Sequence, residues 1–176
     1  MEWINRVRLS QKLILLLTFP VLGLLVFGLW QVQEKQGLVQ QATAMQQLVG
    51  VGTRLSSLVH ELQRERGLSA GFLASKGKRF RDELSGQRRQ TDGRRGELES
   101  YLQSVSVDKL TQELRQGLQG TDSELQKLSD MRSRVDGLQL TPAEMIVYYT
   151  QLNGRALDVA GLLSPLAANA EMAARA

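Results

Sequence analysis

Residues 13–30, LILLLTFPVLGLLVFGLW, are a run of 18 residues without a charged side chain. An α-helix needs about 20 mostly apolar residues to cross a bilayer, so this run predicts a transmembrane helix. Trp3 and Trp30 lie near its two ends, where interfacial aromatic residues are common. Pro20 is compatible with a membrane helix because neighbouring groups can satisfy the carbonyl that it leaves free.

The charges around this run predict its orientation. Residues 1–12 carry three basic side chains and one acidic one, and basic flanks remain on the cytoplasmic side. We therefore expect a cytoplasmic basic tail at 1–12, a transmembrane signal anchor at 13–30 and an outward-facing domain at 31–176. The alternative is a cleaved signal peptide, whose apolar core is usually about 7–15 residues with a small-residue cleavage site after it. The run here is longer, and QVQEKQ follows it without such a site.

The remaining composition is typical of an all-α protein. Aromatic residues are 5% of the chain and only three prolines occur, while Leu, Gln, Arg, Glu and Ala are abundant. Cysteine is absent and His60 is the only histidine, so we expect no disulfide and no metal site. The net charge of +4 comes without interleaved aromatic residues, which argues against nucleic-acid binding. We find no nucleophile–base arrangement and no cofactor motif, so an enzyme is the least expected class.

Short breaks divide the outer part of the chain into helices. They lie at 75–79, 104–108 and 137–142. Asp108 is a candidate cap for a third helix, and Thr141 with Glu144 predicts a capping box around a first-turn proline. The segment 31–74 has no strong break, so we expect it to continue the membrane helix. Long helices with short loops predict an antiparallel up-down bundle.

One arginine lies among apolar residues on the predicted first helix. At about 100° per residue, Arg66 falls about 40° from Leu62, whereas Arg64 falls about 200° away. The same stripe contains Leu48, Val51, Leu55, Leu58, Val59, Ser69 and Leu73. We therefore predict that Arg64 is a surface charge and that Arg66 faces inward. A buried guanidinium is costly unless a negative group pairs with it.

The second helix repeats this pattern. Relative to Leu84, Arg88 falls at about 40° and Arg95 at about 20° within the apolar stripe. Arg66 and Arg88 are equally far in sequence from Gly77, near the middle of the turn, so an antiparallel hairpin brings them to one height. Two like charges at one buried level require a negative group between them.

Periodicity alone leaves three interpretations of these arginines open. Acids of the same bundle could neutralise them, with Glu65, Asp92 or a glutamate of a partner chain as candidates. Alternatively, the arginines could bind a small anion, or they could line the seam of a dimer. His60 falls on the outer face of its helix and is expected to be an ordinary surface residue.

A sequence motif gives information about function that the helical periodicity does not give. LVHELQRERGLSAGFLASKG, followed by Phe80, Leu84, Gln87-Arg88 and Thr91-Asp92, resembles the nitrate- and nitrite-sensing (NIT) domain over residues 55–165. The resemblance implies an all-helical sensor that binds nitrate or nitrite through arginines. The arginine of the family's E-R-G motif corresponds here to Arg66, and we take Arg88 as a second candidate ligand.

The N-terminus, KLILLLTFPVLGLLVFGLWQVQEKQ, is similar to the signal anchors of bacterial chemoreceptors and sensor proteins. This implies a chemotaxis-type signal transduction receptor in the bacterial inner membrane, with residues 31–176 in the periplasm and a homodimeric bundle. The family's second G-x-E-R-A helix has no counterpart after Arg155. We therefore expect the sensor domain to continue beyond residue 176.

The predicted function is ligand sensing, with nitrate or nitrite bound by Arg66 and Arg88 and a signal carried by helix motion. Two other classes fit the same helices. One is a four-helix chemoreceptor sensor for another small anion or a carboxylate, because the guanidinium fork suits both. The other is a structural, membrane-anchored bundle that binds a protein partner.

Overall fold

The computed structural model describes the backbone of residues 9–105 and 111–175, with side chains at 17, 18, 20–27, 30, 43–105 and 111–163. This part of the chain contains helices and no strand, which confirms the all-α prediction. The helices are α1 (Leu9–Ala74), α2 (Arg81–Ser104), α3 (Gln112–Gln126), α4 (Leu128–Asp136) and α5 (Pro142–Arg175).

The chain divides into two compact units, Met1–Thr43 and Ala44–Ala176. In the first unit, α1 passes through Pro20 without ending, and large apolar side chains such as Leu24 and Trp30 are exposed. Within the described residues, no helix combines the length and the hydropathy that a membrane crossing requires. The predicted basic tail lies outside the described side chains, as do positions 13–16, 19, 28 and 29 of the predicted anchor.

The second unit is a bundle with four columns, of which α3 and α4 together form the third. At least one hydrogen bond crosses each seam between neighbouring columns, and four examples give the order of the helices. They are Gln87 Nε2 to Glu61 O at 3.2 Å, Arg95 Nη1 to Leu125 O at 3.2 Å, Tyr148 Oη to Glu124 O at 2.8 Å, and Tyr149 Oη to Glu65 Oε1 at 2.8 Å. Successive columns are close in the sequence, and the seams place them side by side, so the predicted antiparallel up-down bundle is confirmed.

The core of the bundle is mostly apolar, with a few buried polar side chains such as Ser69, Thr121 and Asn153. Hydrophobic side chains with no more than 1% exposure come from α1, α3, α4 and α5: Val51, Leu55, Leu58, Leu62, Phe72, Leu114, Leu128, Val135, Met145, Tyr149, Leu152, Ala156 and Val159. Their burial supplies the main stabilising free energy of the fold. Glu65 is equally buried, and it marks the level at which charged groups enter the interior.

The helix ends follow the predicted local signals. The N–H of Glu144 donates to Thr141 Oγ1 at 3.3 Å and that of Thr141 donates to Glu144 Oε2 at 2.8 Å, which confirms the capping box. The hydrogen bond from the Thr141 backbone lowers the pKa of Glu144 below its usual value. At the first turn, Gly77 has a φ of 76° and its N–H donates to Phe72 O at 2.9 Å.

Two features of the third column were not predicted. A break at Lys127 separates α3 from α4, although the sequence has neither glycine nor proline there. The N-cap of α3 is Thr111, whose Oγ1 accepts from the N–H of Leu114 at 3.3 Å. The predicted cap Asp108 lies outside the described residues.

Candidate functional site

A fully buried carboxylate lies at the centre of the charged level. Glu65 of α1 has 0% exposure and receives two hydrogen bonds from Arg132 of α4, at 2.8 and 2.9 Å. Tyr149 of α5 donates its hydroxyl to the same carboxylate at 2.8 Å. A charged group that is buried away from water requires such partners, and the bidentate contact between a guanidinium and a carboxylate is the strongest type of ion pair available.

The buried environment also shifts the pKa values of Arg132 and Tyr149, the two hydrogen-bond donors to Glu65. Arg132 also donates to Asp92 Oδ1 at 2.7 Å, so it joins α4 to both α1 and α2. Burial acts to lower the pKa of Arg132, but its hydrogen bonds and charge interactions with Glu65 and Asp92 outweigh that effect and raise it. Burial and the neighbouring Glu65 charge raise the pKa of Tyr149, which keeps this hydroxyl protonated as a donor.

Arg88, one of the two predicted ligands, belongs to this network. Its Nη1 lies 2.8 Å from Asp136 Oδ2, and its Nε lies 3.9 Å from Glu65 Oε1. The distance to Glu65 is too long for a hydrogen bond, and the buried Nε–H has no hydrogen-bond partner in the described part of the chain. An acid of the same bundle therefore neutralises Arg88, which is the first of the three interpretations. The buried Nε–H of Arg88 remains without an acceptor in the described part of the chain.

Arg66, the other predicted ligand, has a different environment. It is half-buried between α1 and α5, and its Nη1 donates to Thr150 Oγ1 at 3.3 Å. Across the described residues, no carboxylate forms an ion pair with Arg66. The structure brings Arg88 to Glu65 instead, one residue before Arg66 in the sequence. Arg66 is therefore a half-buried cation whose charge has no matching acid among the described groups.

The remaining residues of the motif region behave as the helical wheel predicts. Arg64 has a side-chain exposure of 60%, and its Nη1 lies 3.7 Å from Oε2 of Glu61, one turn earlier in the same helix. His60 is exposed. Arg95 is half-buried, as its stripe position implies, and it donates to Glu99 Oε1 at 2.6 Å and to Leu125 O at 3.2 Å.

Sequence reasoning missed Arg132 and Tyr149 as members of the charged level. Tyr149 is fully buried, and a tyrosine in the apolar stretch MIVYY is typical of a helix core rather than of a charged site. Arg132 follows the buried Met131 in the middle of the short helix α4, whose apolar pattern gives no sign of an ion pair. Among the described residues, no cluster of three or more His, Cys, Asp or Glu could hold a metal ion.

Known proteins resemble this chain in sequence and in fold. The NIT family, described as nitrate and nitrite sensing, matches residues 57–176. A solved structure titled "Structure of the NasR transcription antiterminator" superimposes with a TM-score of 0.66 at 22% identity. The match covers 74% of this chain and 35% of that one, so this chain shares the fold of a part of that protein. No curated protein matches significantly.

The family match includes the E-R-G motif at Glu65-Arg66-Gly67, the part of α1 from residue 57 onwards, and all of α2, α3, α4 and α5. It also spans each member of the charged network around Glu65. The chain belongs to the NIT family of nitrate- and nitrite-sensing domains.

Proposed function

We propose that this chain is the ligand-sensing region of a membrane-anchored bacterial signal transduction receptor and that it binds nitrate or nitrite through Arg66. The observation that carries the proposal is the half-buried Arg66 guanidinium, which contacts Thr150 but no acid among the described residues. A guanidinium offers a planar fork of donors, and this fork matches two oxygens of a small planar anion. The family description, nitrate and nitrite sensing, supplies the class of anion.

Arg88 is proposed as a second, weaker contributor. Asp136 already offsets much of its charge, whereas its buried Nε–H lacks a hydrogen-bond acceptor within the described part. Leaving a buried donor unsatisfied costs about 1–3 kcal/mol, so an acceptor from an anion or a water would be stabilising there. Arg88 thus adds positive potential and one free donor, while Arg66 supplies the uncompensated charge.

The proposed signal is a small motion of α1. Arg66 lies on α1 and its partner Thr150 lies on α5, so an anion at Arg66 changes the balance of contacts at that seam. A ligand shifts a conformational equilibrium only by its different affinity for the two states. Neutralising Arg66 would favour close packing of α1 against α5. The same helix contains the apolar run 13–30, which would carry a slide or rotation of α1 towards the cytoplasm.

The receptor is proposed to act as a homodimer. On α5, Ile146, Val147 and Leu157 have exposures of 40, 56 and 49%, although the helix packs its other face into the core. Contact with a second copy would remove these apolar side chains from water. Such a surface would let a second copy respond to the same motion of α1.

Nitrate is expected to raise the thermal unfolding midpoint of the purified 176-residue chain in a non-ionic detergent. An anion that binds only the folded state stabilises it by mass action, by about 2.7 kcal/mol at one hundred times its dissociation constant. Circular dichroism melts with sodium nitrate, nitrite, chloride and acetate at equal ionic strength would measure this. A rise with acetate equal to that with nitrate would favour the carboxylate-sensor alternative. No rise with any anion would favour a structural bundle.

Residues 13–30 are expected to span the inner membrane, with Lys12 in the cytoplasm and Glu34 in the periplasm. The basic flank and the uncharged run motivate this orientation. A reporter enzyme fused after residue 176 should be active if it requires the periplasm and inactive if it requires the cytoplasm. The reverse activities would overturn the orientation, and release of a shortened soluble fusion would indicate a cleaved signal peptide.

A further inference from the structure

A buried side-chain amide on α5 has no hydrogen-bond partner. Asn153 is 4% exposed, and both its Nδ2 and its Oδ1 are buried without a partner among the groups that the structure describes. Gln87, a buried amide on α2, shows the usual arrangement, since its Nε2 donates to Glu61 O at 3.2 Å and to Glu61 Oε2 at 2.6 Å. Burying a polar group without a partner is costly, so packing alone does not account for an amide at position 153.

Two contacts one turn earlier on α5 show that Asn153 faces the seam with α1. Tyr149 Oη donates to Glu65 Oε1 at 2.8 Å, and Thr150 Oγ1 accepts from Arg66 Nη1 at 3.3 Å. Asn153 follows these two residues of α5 at spacings of four and three, which are the spacings of neighbours on one side of a helix. The buried amide therefore lies at the seam that contains the Arg66 guanidinium.

The directions of the two side chains bring them to one level of this seam. Arg66 lies against Thr150 and Gly52 lies against Leu163, so α5 runs antiparallel to α1. Helix side chains lean towards the N-terminus of their own helix. Arg66 therefore leans towards the level of Asn153, and Asn153 leans back towards the level of Arg66.

We propose that Asn153 is a further ligand-binding residue of the Arg66 site and that its Nδ2 donates a hydrogen bond to the bound oxyanion. This inference rests on the proposed function of Arg66. A primary amide has two N–H donors and one carbonyl acceptor. Its donors suit an oxygen of nitrate or nitrite, and its carbonyl suits a guanidinium N–H that the anion does not use. Both free groups of the amide then gain a partner.

The route to the amide passes the Arg66 side chain. Asn153 is closed to solvent, whereas Arg66 is half-buried and Thr150 is exposed. The 3.3 Å bond from Arg66 to Thr150 is long and has a neutral acceptor, so a charged acceptor can replace it at little cost. An anion held by Arg66 of α1 and Asn153 of α5 would join the two helices at the seam that the proposed signal uses.

The test is calorimetric titration of sodium nitrate into the 176-residue chain and three variants in non-ionic detergent. Asn153→Leu removes the amide at similar volume, and it should weaken nitrate binding about tenfold without lowering the thermal midpoint measured in the absence of anion. Asn153→Asp places a carboxylate beside the Arg66 guanidinium, and it should abolish nitrate binding because the two side chains neutralise each other. Thr121→Val is the control, since it removes a buried hydroxyl that donates to Gly117 of its own helix, and it should leave the affinity unchanged.

Nuclear magnetic resonance of the unaltered chain gives a readout that does not depend on the folding of a variant. The two side-chain N–H resonances of Asn153 should shift during nitrate titration, with a midpoint at the calorimetric dissociation constant. Unshifted resonances at saturating nitrate would overturn the inference, as would nitrate binding by Asn153→Leu within about twofold of the unaltered chain, or an equal loss in Thr121→Val. Nitrate binding that requires Arg66 but not Asn153 refutes this inference alone, whereas no binding by the unaltered chain refutes the proposed function as well.

Discussion

Replacing Glu65 with alanine is expected to destabilise the bundle by about 3–5 kcal/mol. The carboxylate has no solvent exposure, and it is the buried counter-charge of Arg132 and a near neighbour of Arg88. Its removal leaves two arginines without their interior acid and Tyr149 without its acceptor. Because domains are stable by only about 5–15 kcal/mol, this single change would remove a large part of the total.

Urea titration followed by circular dichroism would measure this effect, with Glu97→Ala as the matched control. Glu97 also accepts from an arginine, at 2.8 Å, but its side chain is 54% exposed and its partner lies on the same helix. Exposed pairs of this kind contribute at most about 1 kcal/mol. A Glu65→Ala variant no less stable than Glu97→Ala would show that the buried network does not hold the helices together.

The sequence predicted those parts of the fold that local signals determine. The capping box at Thr141 and Glu144, the turn around Gly77 and the apolar stripes each depend on residues within about two helical turns. The break at Lys127 could not be predicted, because no helix-breaking residue marks it.

At the candidate site, a helical wheel could not predict which charged residue is buried. Glu65 and Arg66 fall on opposite flanks of one stripe, at about −60° and +40° from Leu62. The wheel cannot tell which flank faces the interior column and which faces α5, because that depends on the order of the helices around the bundle. Arg132 is 67 residues from Glu65, so nothing local in the sequence could identify this pair.

Substituting Arg66 is expected to abolish nitrate binding. Arg66→Ala removes the guanidinium fork and the uncompensated charge together, so the charge-assisted hydrogen bonds to the anion are lost. Arg66→Lys keeps the charge but not the planar fork, so nitrate binding should be strongly weakened. Arg64→Ala is the internal control, since Arg64 lies two residues away on the exposed face and pairs with Glu61.

Isothermal titration of nitrate into the unaltered chain, Arg64→Ala and Arg66→Ala tests the central claim most directly. We expect the same dissociation constant for the first two proteins and no measurable heat of binding for Arg66→Ala. A circular dichroism melt without nitrate would establish that each variant is folded. Two results would contradict the account: equal losses in the Arg64 and Arg66 variants, or unchanged nitrate binding by a folded Arg66→Ala protein.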